Sequence, residues 1–429
     1  MKKNTHPNRP LRQRNTWPID AFAVFVAIFA MSKTAHAYID PGTGSAILYV
    51  ITGLVLSIYF GLKNLIFKVE ELLYRKKTGF PVCNLAIHCE DPRYENTFFP
   101  IMNALPKDAG PVQFFTMYER DASFRPLPDG VQHFAIPPGL LGYSMLNRLE
   151  GKVLLTTTPQ LDVMMFKRSK KMKHYCYVEH ALGESRFMRP FSYDFYDTVL
   201  CCGPLLKNNI PKIEKIRGFN SKTLLETGIP HWDELLQAAA QAKPQNESPV
   251  VLIAPSWGPS SLFEVFGLGF VEQIAAQFRV IVRPHPQMRI SQTTLYEQIL
   301  GFENVHVDTE TTPASALQKA DILVSDFSGI VDEFVFIHEK PAIVVEHSVA
   351  VDAFEGYFLK DVRSLREIRS DVVMVLSPDE FDNVTTMIAQ MLDKDFAERI
   401  PALRNELVYN FGAAGPAAAN QIKEILQCL

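Results

Sequence analysis

Apolar and polar positions alternate along most of this chain in blocks of two kinds. From residue 81, short apolar runs of about four to eight residues are separated by longer stretches of mixed polarity. Runs of this length indicate buried strands, and the mixed stretches between them indicate helices. The predicted strands are 82–89, 112–118, 131–136, 152–159, 173–180 and 197–203, followed by 250–256, 278–286, 304–308, 320–326 and 341–346.

This alternation predicts an α/β fold in which helices cover both faces of parallel sheets. A proline- and polar-rich stretch, 241–249, divides the strands into two series and is interpreted as a linker. We therefore expect two Rossmann-like domains, 79–240 and 248–395, that face each other across a cleft. Residues 396–429 are predicted to form C-terminal helices, and the last helix could pack on either domain.

The N-terminal segment has a different pattern. Residues 1–16 contain five lysines and arginines and no acid, 21–31 is apolar, and Ala-His-Ala at 35–37 fits a small-x-small cleavage site. These features predict a signal peptide over 1–37. The alternative is an uncleaved first segment that forms a two-pass hairpin. In both cases the part of the chain that follows the membrane is expected in the cytoplasm.

A second apolar stretch, 41–62, contains no charged residue, and its 22 positions would span roughly 30 Å as a helix. The lysines and arginines between 63 and 77 mark the cytoplasmic end of such a span. We therefore expect 38–78 to form a transmembrane anchor and a juxtamembrane helix. The prediction is a single-pass protein of the cell inner membrane with a cytoplasmic catalytic domain.

Composition and charge argue against several function classes. With 429 residues and a net charge of −4, the chain lacks the basic excess that is typical of nucleic-acid-binding proteins. Its six cysteines form no Cys-x-x-Cys pair, so no zinc pattern is present. The Gly-x-x-x-x-Gly-Lys-Ser/Thr loop of P-loop NTPases is also absent from the sequence. We expect no cofactor, no metal and no nucleic-acid partner.

Polar side chains follow several predicted strands at the point where each strand ends. The carboxyl edge of a parallel sheet is where open α/β proteins bind ligands. A helix that begins there points free backbone N–H groups at an anion such as phosphate. Each residue taken alone could equally be a helix cap or a structural histidine. The candidates are His180 in the first series and Ser256, Arg283, His285, Ser325, Asp326, Ser328 and Gly329 in the second.

The basic candidates are suited to binding phosphate and to transferring a proton. Arg283 carries the fork of donors that binds phosphate. The imidazoles of His180 and His285 can exchange a proton near neutral pH. We therefore expect Arg283 and His285 at a diphosphate, and His180 as the base.

The 325–329 segment is predicted to bind that diphosphate. Ser325 and Ser328 can supply hydroxyl donors, and Gly329 permits close approach of the backbone. Asp326 cannot bind an anion directly, so we expect it either to cap the helix or to orient a donor hydroxyl.

The second series contains three motifs that together resemble the CDP-glycerol glycerophosphotransferase family of teichoic-acid-type polymerases and primases. They are APSWGPSS at 254–261, RPHP at 283–286 and SDFSGIVDEF at 325–334. The segment ETGIPHWDELL at 226–236 looks like the Gly-x-Pro-x-x-Asp segment of that family, with His231 where an arginine is usual. The resemblance covers roughly 175–395.

This resemblance implies a GT-B-like fold with a CDP-polyol donor in the cleft. It implies that His285 is the family's His-Pro histidine and that Ser325, Asp326 and Ser328 belong to its donor-phosphate segment. His180 matches the first-half histidine, although two residues separate it from Gly183 where the family's glycine usually follows directly.

We therefore expect a membrane-anchored transferase that moves glycerol phosphate, or a related polyol phosphate, from CDP-glycerol or a similar CDP-polyol. The acceptor would be a hydroxyl of a membrane-associated polyol phosphate or glycan, and an inverting-type attack on phosphorus would release CMP. One alternative is a GT-B glycosyltransferase or epimerase that uses a nucleotide sugar. The other is a non-catalytic scaffold of envelope assembly.

Overall fold

The computed structural model describes residues 50–59, 61–62, 65, 69, 82–182, 185–240, 248–259, 261–310, 312–326, 328–345 and 354–429. The predicted signal peptide, 1–37, and most of the predicted anchor, 38–78, lie outside these residues, as do residues 241–247 of the predicted linker. Residues 50–59 are helical. Among the helices that the structure describes, none has the length and apolar character needed to cross a bilayer.

The first sheet has seven parallel strands in the order β3-β2-β1-β4-β5-β6-β7. Its central strands are buried along nearly their whole length, as expected for a parallel sheet with helices on both faces. The strands are β1 Cys83–Cys89, β2 Val112–Thr116, β3 Val131–Ala135, β4 Gly151–Thr156, β5 Met172–Val178, β6 Thr198–Cys201 and β7 Thr223–Glu226.

The second sheet has six parallel strands in the order β10-β9-β8-β11-β12-β13. The strands are β8 Val250–Ile253, β9 Arg279–Val282, β10 His306–Val307, β11 Ile322–Ser325, β12 Ala342–Val345 and β13 Val373–Leu376. Each strand predicted from the sequence corresponds to an observed one. The strands that the prediction lacks, β7 and β13, are edge strands. The predicted α/β fold with parallel sheets is therefore confirmed.

Helices connect the strands and cover the sheets. Among the described residues they are α1 Glu95–Ala104, α2 Leu140–Leu146, α3 Pro204–Arg217, α4 Pro230–Ala240, α5 Leu262–Phe266, α6 Gly269–Ala275, α7 Met288–Ser291, α8 Thr293–Leu300, α9 Ala314–Lys319, α10 Ile330–His338, α11 Leu365–Ile368, α12 Val384–Leu392, α13 Arg399–Leu407 and α14 Ala414–Cys428.

The last helix, α14, packs on the first sheet's side of the molecule. Its first backbone N–H groups, from Ala414 and Gly415, donate to the carboxylate of Asp233 at 3.0 and 2.8 Å. Gly415 has no room for a Cβ because Pro100 of α1 lies against it. Ile422 belongs to the apolar cluster that also contains Phe98. The last helix therefore packs on the first half. The sequence had left open which of the two halves it would contact.

A buried ion-pair cluster joins segments of the two halves. Arg217, at the end of α3, pairs with Asp194 at 2.7 Å and with Glu355 at 2.6 Å, and these side chains are at most 7% exposed. The backbone N–H of Glu355 also donates to the carbonyl of Met188 at 2.9 Å. Such a cluster holds the segment around Glu355 against the first half, since separation would leave buried charges unpaired.

Candidate functional site

Three neighbouring strands of the second sheet end in the predicted polar residues. β8 lies between β9 and β11, so their carboxyl ends place Ser256, His285 and Asp326 along one edge. Both carboxylate oxygens of Asp326 lie 3.0 Å from the backbone nitrogen of Ser256. The structure therefore brings the motifs at 254–261 and 325–334 into direct contact.

Asp326 has a role that the sequence did not predict. Its carboxylate also accepts from the backbone N–H of Leu262 at 2.9 Å, and the residue is 2% exposed. Leu262 is the first residue of α5, so Asp326 caps the N-terminus of a neighbouring helix. Asp326 therefore caps α5 and not its own helix, which corrects the first expected role, whereas the orientation of a donor hydroxyl stays a prediction.

Ser325 and Arg283 are already engaged by the protein. The hydroxyl of Ser325 is fully buried and donates to the carbonyl of Ala254 at 2.5 Å. The guanidinium of Arg283 is buried, pairs with Asp308 at 2.5 Å and donates to the carbonyl of Glu310 at 2.9 Å. These bonds hold the strand ends in place, and the expected contact of both residues with a diphosphate stays a prediction.

The remaining candidates at this edge are suited to binding an anion. The hydroxyl of Ser256 is buried and has no hydrogen-bond partner among the described residues. Gly329 has an ordinary φ of −61°, and a Cβ built on it would meet no atom of the described residues within 4 Å. Within the described part of the chain, space is therefore open beside Gly329, where α10 begins and its first N–H groups favour negative charge.

His285 is oriented by its own loop. The backbone N–H of Gln287 donates to Nδ1 of His285 at 3.1 Å. In the neutral ring Nε2 must then carry the hydrogen and serve as a donor. Burial lowers the pKa of His285, and the positive charge of Arg93 adds to that effect. His285 is therefore suited to donating a hydrogen bond to a phosphate oxygen.

His180 follows β5 at the carboxyl edge of the first sheet. Its ring packs on Tyr94 with the ring centroids 4.6 Å apart, and its Nδ1 is buried without a hydrogen-bond partner among the described residues. The pKa of His180 is lowered to about 4, first by burial and then by the nearby His231 and Arg93. The imidazole is therefore neutral at pH 7, the form that can accept a proton.

Arg93 is a further candidate residue that the sequence analysis missed. It lies in the turn Pro92–Tyr94 just after β1 and pairs with Asp91 at 2.8 Å. Its charge lowers the pKa of both His180 and His285, so both predicted histidines lie near the same guanidinium. Arg93 follows the end of β1. The rule that polar residues after a strand end are candidates could therefore have identified it.

Glu179 is a second residue that the sequence analysis missed. It directly precedes His180, is buried, and accepts a hydrogen bond from the hydroxyl of Tyr193 at 2.6 Å. Burial raises the pKa of Glu179 to about 7, although the bond from Tyr193 acts in the opposite direction. A buried carboxyl group with a raised pKa therefore directly precedes the candidate base in the chain.

Comparison with known proteins identifies a related family. Residues 155–350 match the family model of CDP-glycerol:poly(glycerophosphate) glycerophosphotransferase. The matched range contains His180, His285 and the 325–329 segment. No curated protein matches the sequence.

Solved structures show the same fold at low sequence identity. A structure of the wall teichoic acid polymerase TagF is 12% identical, with 88% of this chain and 98% of that chain covered and a TM-score of 0.54. A putative UDP-N-acetylglucosamine 2-epimerase from Listeria monocytogenes is 13% identical, with 80% and 95% covered and a TM-score of 0.50. These likenesses, together with the two parallel sheets, confirm the GT-B-like architecture, and the family match confirms the predicted resemblance.

Proposed function

We propose that this chain, a CDP-glycerol glycerophosphotransferase-like transferase, moves glycerol phosphate or a related polyol phosphate from a CDP-polyol donor to a hydroxyl acceptor of the cell envelope, with release of CMP. The observation that carries the proposal is the family match over 155–350, which spans both histidines and the helix N-terminus beside Gly329. TagF, whose solved structure has the same fold, is a wall teichoic acid polymerase.

In the proposed reaction, the edge of the first sheet supplies the base and the edge of the second sheet binds the donor diphosphate. The acceptor hydroxyl attacks the phosphorus that carries the polyol, and its proton passes to the neutral imidazole of His180. The bond from that phosphorus to the oxygen of CMP breaks, and CMP leaves with the electron pair. The N–H groups at the start of α10, the Nε2–H of His285 and the hydroxyl of Ser256 stabilise the charge on the diphosphate.

Donor identity is tested by binding. Titration of CDP, CDP-glycerol and UDP into the full-length protein should show tighter binding of the two cytidine ligands. Preference for UDP would contradict the CDP-polyol donor and would favour the alternative of a nucleotide-sugar enzyme.

We further propose that the N-terminal region anchors the chain in the inner membrane as a single-pass protein, with residues 82–429 in the cytoplasm. The support is the uncharged stretch 41–62 and the basic residues that follow it. Reporter fusions at the C-terminus test this topology. A cytoplasmic reporter should be active there and alkaline phosphatase inactive, and the reverse pattern would contradict it.

A further inference from the structure

One contact between the two halves lies beside the candidate base. Nε2 of His231, in the first turn of α4, lies 3.3 Å from Oε1 of Glu333, in the first turn of α10. The side chains are 14% and 24% exposed, so the contact is mostly shielded from solvent. Because a carboxylate only accepts hydrogen bonds, Nε2 must carry the hydrogen.

Residues on both sides of His231, in the Gly-x-Pro-x-x-Asp segment, are fixed by contacts with the C-terminal segment. Gly228 has a φ of +90°, and a Cβ there would collide with the carbonyl of Tyr409. Asp233 is fixed by the N–H groups of Ala414 and Gly415. The helix start that carries His231 is therefore anchored to the C-terminal segment and has little freedom to move.

His231 lies near the candidate base, and Glu333 lies near the helix N-terminus that is proposed to bind the donor. His231 lies close enough to His180 to affect it electrostatically. Glu333 lies one turn into the helix whose N-terminus adjoins Ser328 and Gly329. In addition, Nδ1 of His231 is buried and has no hydrogen-bond partner within the described part of the chain. The pair therefore joins the base side of the site to the donor side.

We propose that the His231–Glu333 contact is a positioning element that sets the donor-binding end of α10 at the correct distance from His180. Loss of the contact would leave each half intact and would misplace the donor phosphorus relative to the base. This inference rests on the proposed function, because it assigns the donor to the second half and the base to the first. It makes His231 and Glu333 positioning residues, and neither is required to touch the donor.

A double-mutant cycle tests the contact in the full-length protein. The variants are His231→Ala, Glu333→Ala and the double variant, with His231→Arg as the conservative variant that keeps an N–H donor for Glu333. Lys207→Ala is the matched control, because Lys207 pairs with Glu226 at 2.6 Å within the first half. For each variant we would measure CDP affinity, kcat and KM for CMP release from CDP-glycerol, and the unfolding midpoint.

We expect each single alanine variant to lower kcat about tenfold, the effect of a misplaced reacting group, with CDP affinity unchanged. The double variant should lose no more than either single variant, and His231→Arg should recover most of the loss. Additive losses, an unchanged kcat, or an equal fall in CDP affinity and kcat would overturn the positioning role.

Failure of this inference can be told apart from failure of the proposed function. If the wild-type protein releases no CMP from CDP-glycerol, the proposed function is wrong. The contact is then judged by the unfolding midpoints alone, which need no substrate. Independent effects of the two substitutions on unfolding would overturn the contact, and a shared effect that His231→Arg restores would support it.

Discussion

Asp326 holds the backbone of Ser256, with both of its carboxylate oxygens 3.0 Å from the Ser256 nitrogen. The same carboxylate caps α5 through Leu262. One buried side chain thus connects the segment that ends β11 with the segment that ends β8. This connection holds together the two loops to which we assign the donor.

Asp326→Asn should therefore weaken both folding and donor binding. The amide offers one acceptor oxygen and places an NH₂ group against N–H donors. Loss of one charge-assisted bond lowers the free energy of unfolding by roughly 1.5–3 kcal/mol. Urea unfolding and CDP titration measure the two effects. Asp395→Asn, at an exposed carboxylate that accepts from the N–H of Ala397 at 2.9 Å, is the matched control and should change neither.

Ser328→Ala and Ser325→Ala should have different effects. Ser328 lies where α10 begins, and if its hydroxyl binds the donor phosphate as predicted, its loss should weaken CDP binding about ten- to a hundredfold without changing stability. Ser325 donates to Ala254 inside the protein, so its substitution should lower the unfolding midpoint. Wild-type affinity in folded Ser328→Ala would contradict the donor assignment.

The rate of CMP release should stay constant to lower pH than an ordinary histidine base would allow. The pKa of His180 is lowered to about 4 in the folded protein, so its neutral form persists as pH falls through 6.5. A pH profile of kcat/KM with a half-maximum at pH 6.5 that disappears in His180→Gln would contradict this assignment.

The stability of the protein has a related pH dependence. The folded-state pKa of His180 lies below the unfolded value, so the unfolded chain binds more protons between pH 6.5 and about 4. His88 and His338 are shifted in the same direction, mainly by burial, to about 3 and about 4. The free energy of unfolding should therefore decrease as pH falls across this window. Urea unfolding at several pH values measures it, and His180→Gln should reduce the dependence.

Arg217→Ala should be strongly destabilising. It would leave the buried carboxylates of Asp194 and Glu355 without their cation, and breaking a buried pair of this kind costs about 3–5 kcal/mol. Arg399→Ala removes an exposed pair with Asp371 and should cost at most about 1 kcal/mol. Equal unfolding free energies for the two variants would show that the cluster does not hold the halves together.

Most of the fold could be predicted because buried parallel strands are continuous apolar runs. β7 was not predicted because Thr223–Glu226 is a half-exposed edge strand with two polar ends, which gives little pattern. β13 is different, since Val373–Leu376 is wholly apolar and the same rule could have identified it. The side on which α14 packs depends on Asp233 and Pro100, which are distant in sequence.

The candidate site could be located from the sequence, but its internal bonds could not. Polar strand ends indicated one edge of each sheet because parallel strands align their carboxyl ends. The engagement of Arg283 by Asp308 and of Ser325 by Ala254 depends on strand order, which composition does not encode. The same holds for His231 and Glu333, which come from different halves and meet only in the folded chain.

Release of CMP from CDP-glycerol by the purified full-length protein, with a hydroxyl acceptor present, tests the central claim most directly. We predict CMP release, transfer of glycerol phosphate to the acceptor, and a fall of about a hundredfold or more in His180→Gln, the typical effect of removing a general base. Release of UDP from nucleotide sugars with no reaction of CDP-glycerol, or an unchanged rate in His180→Gln, would contradict the account.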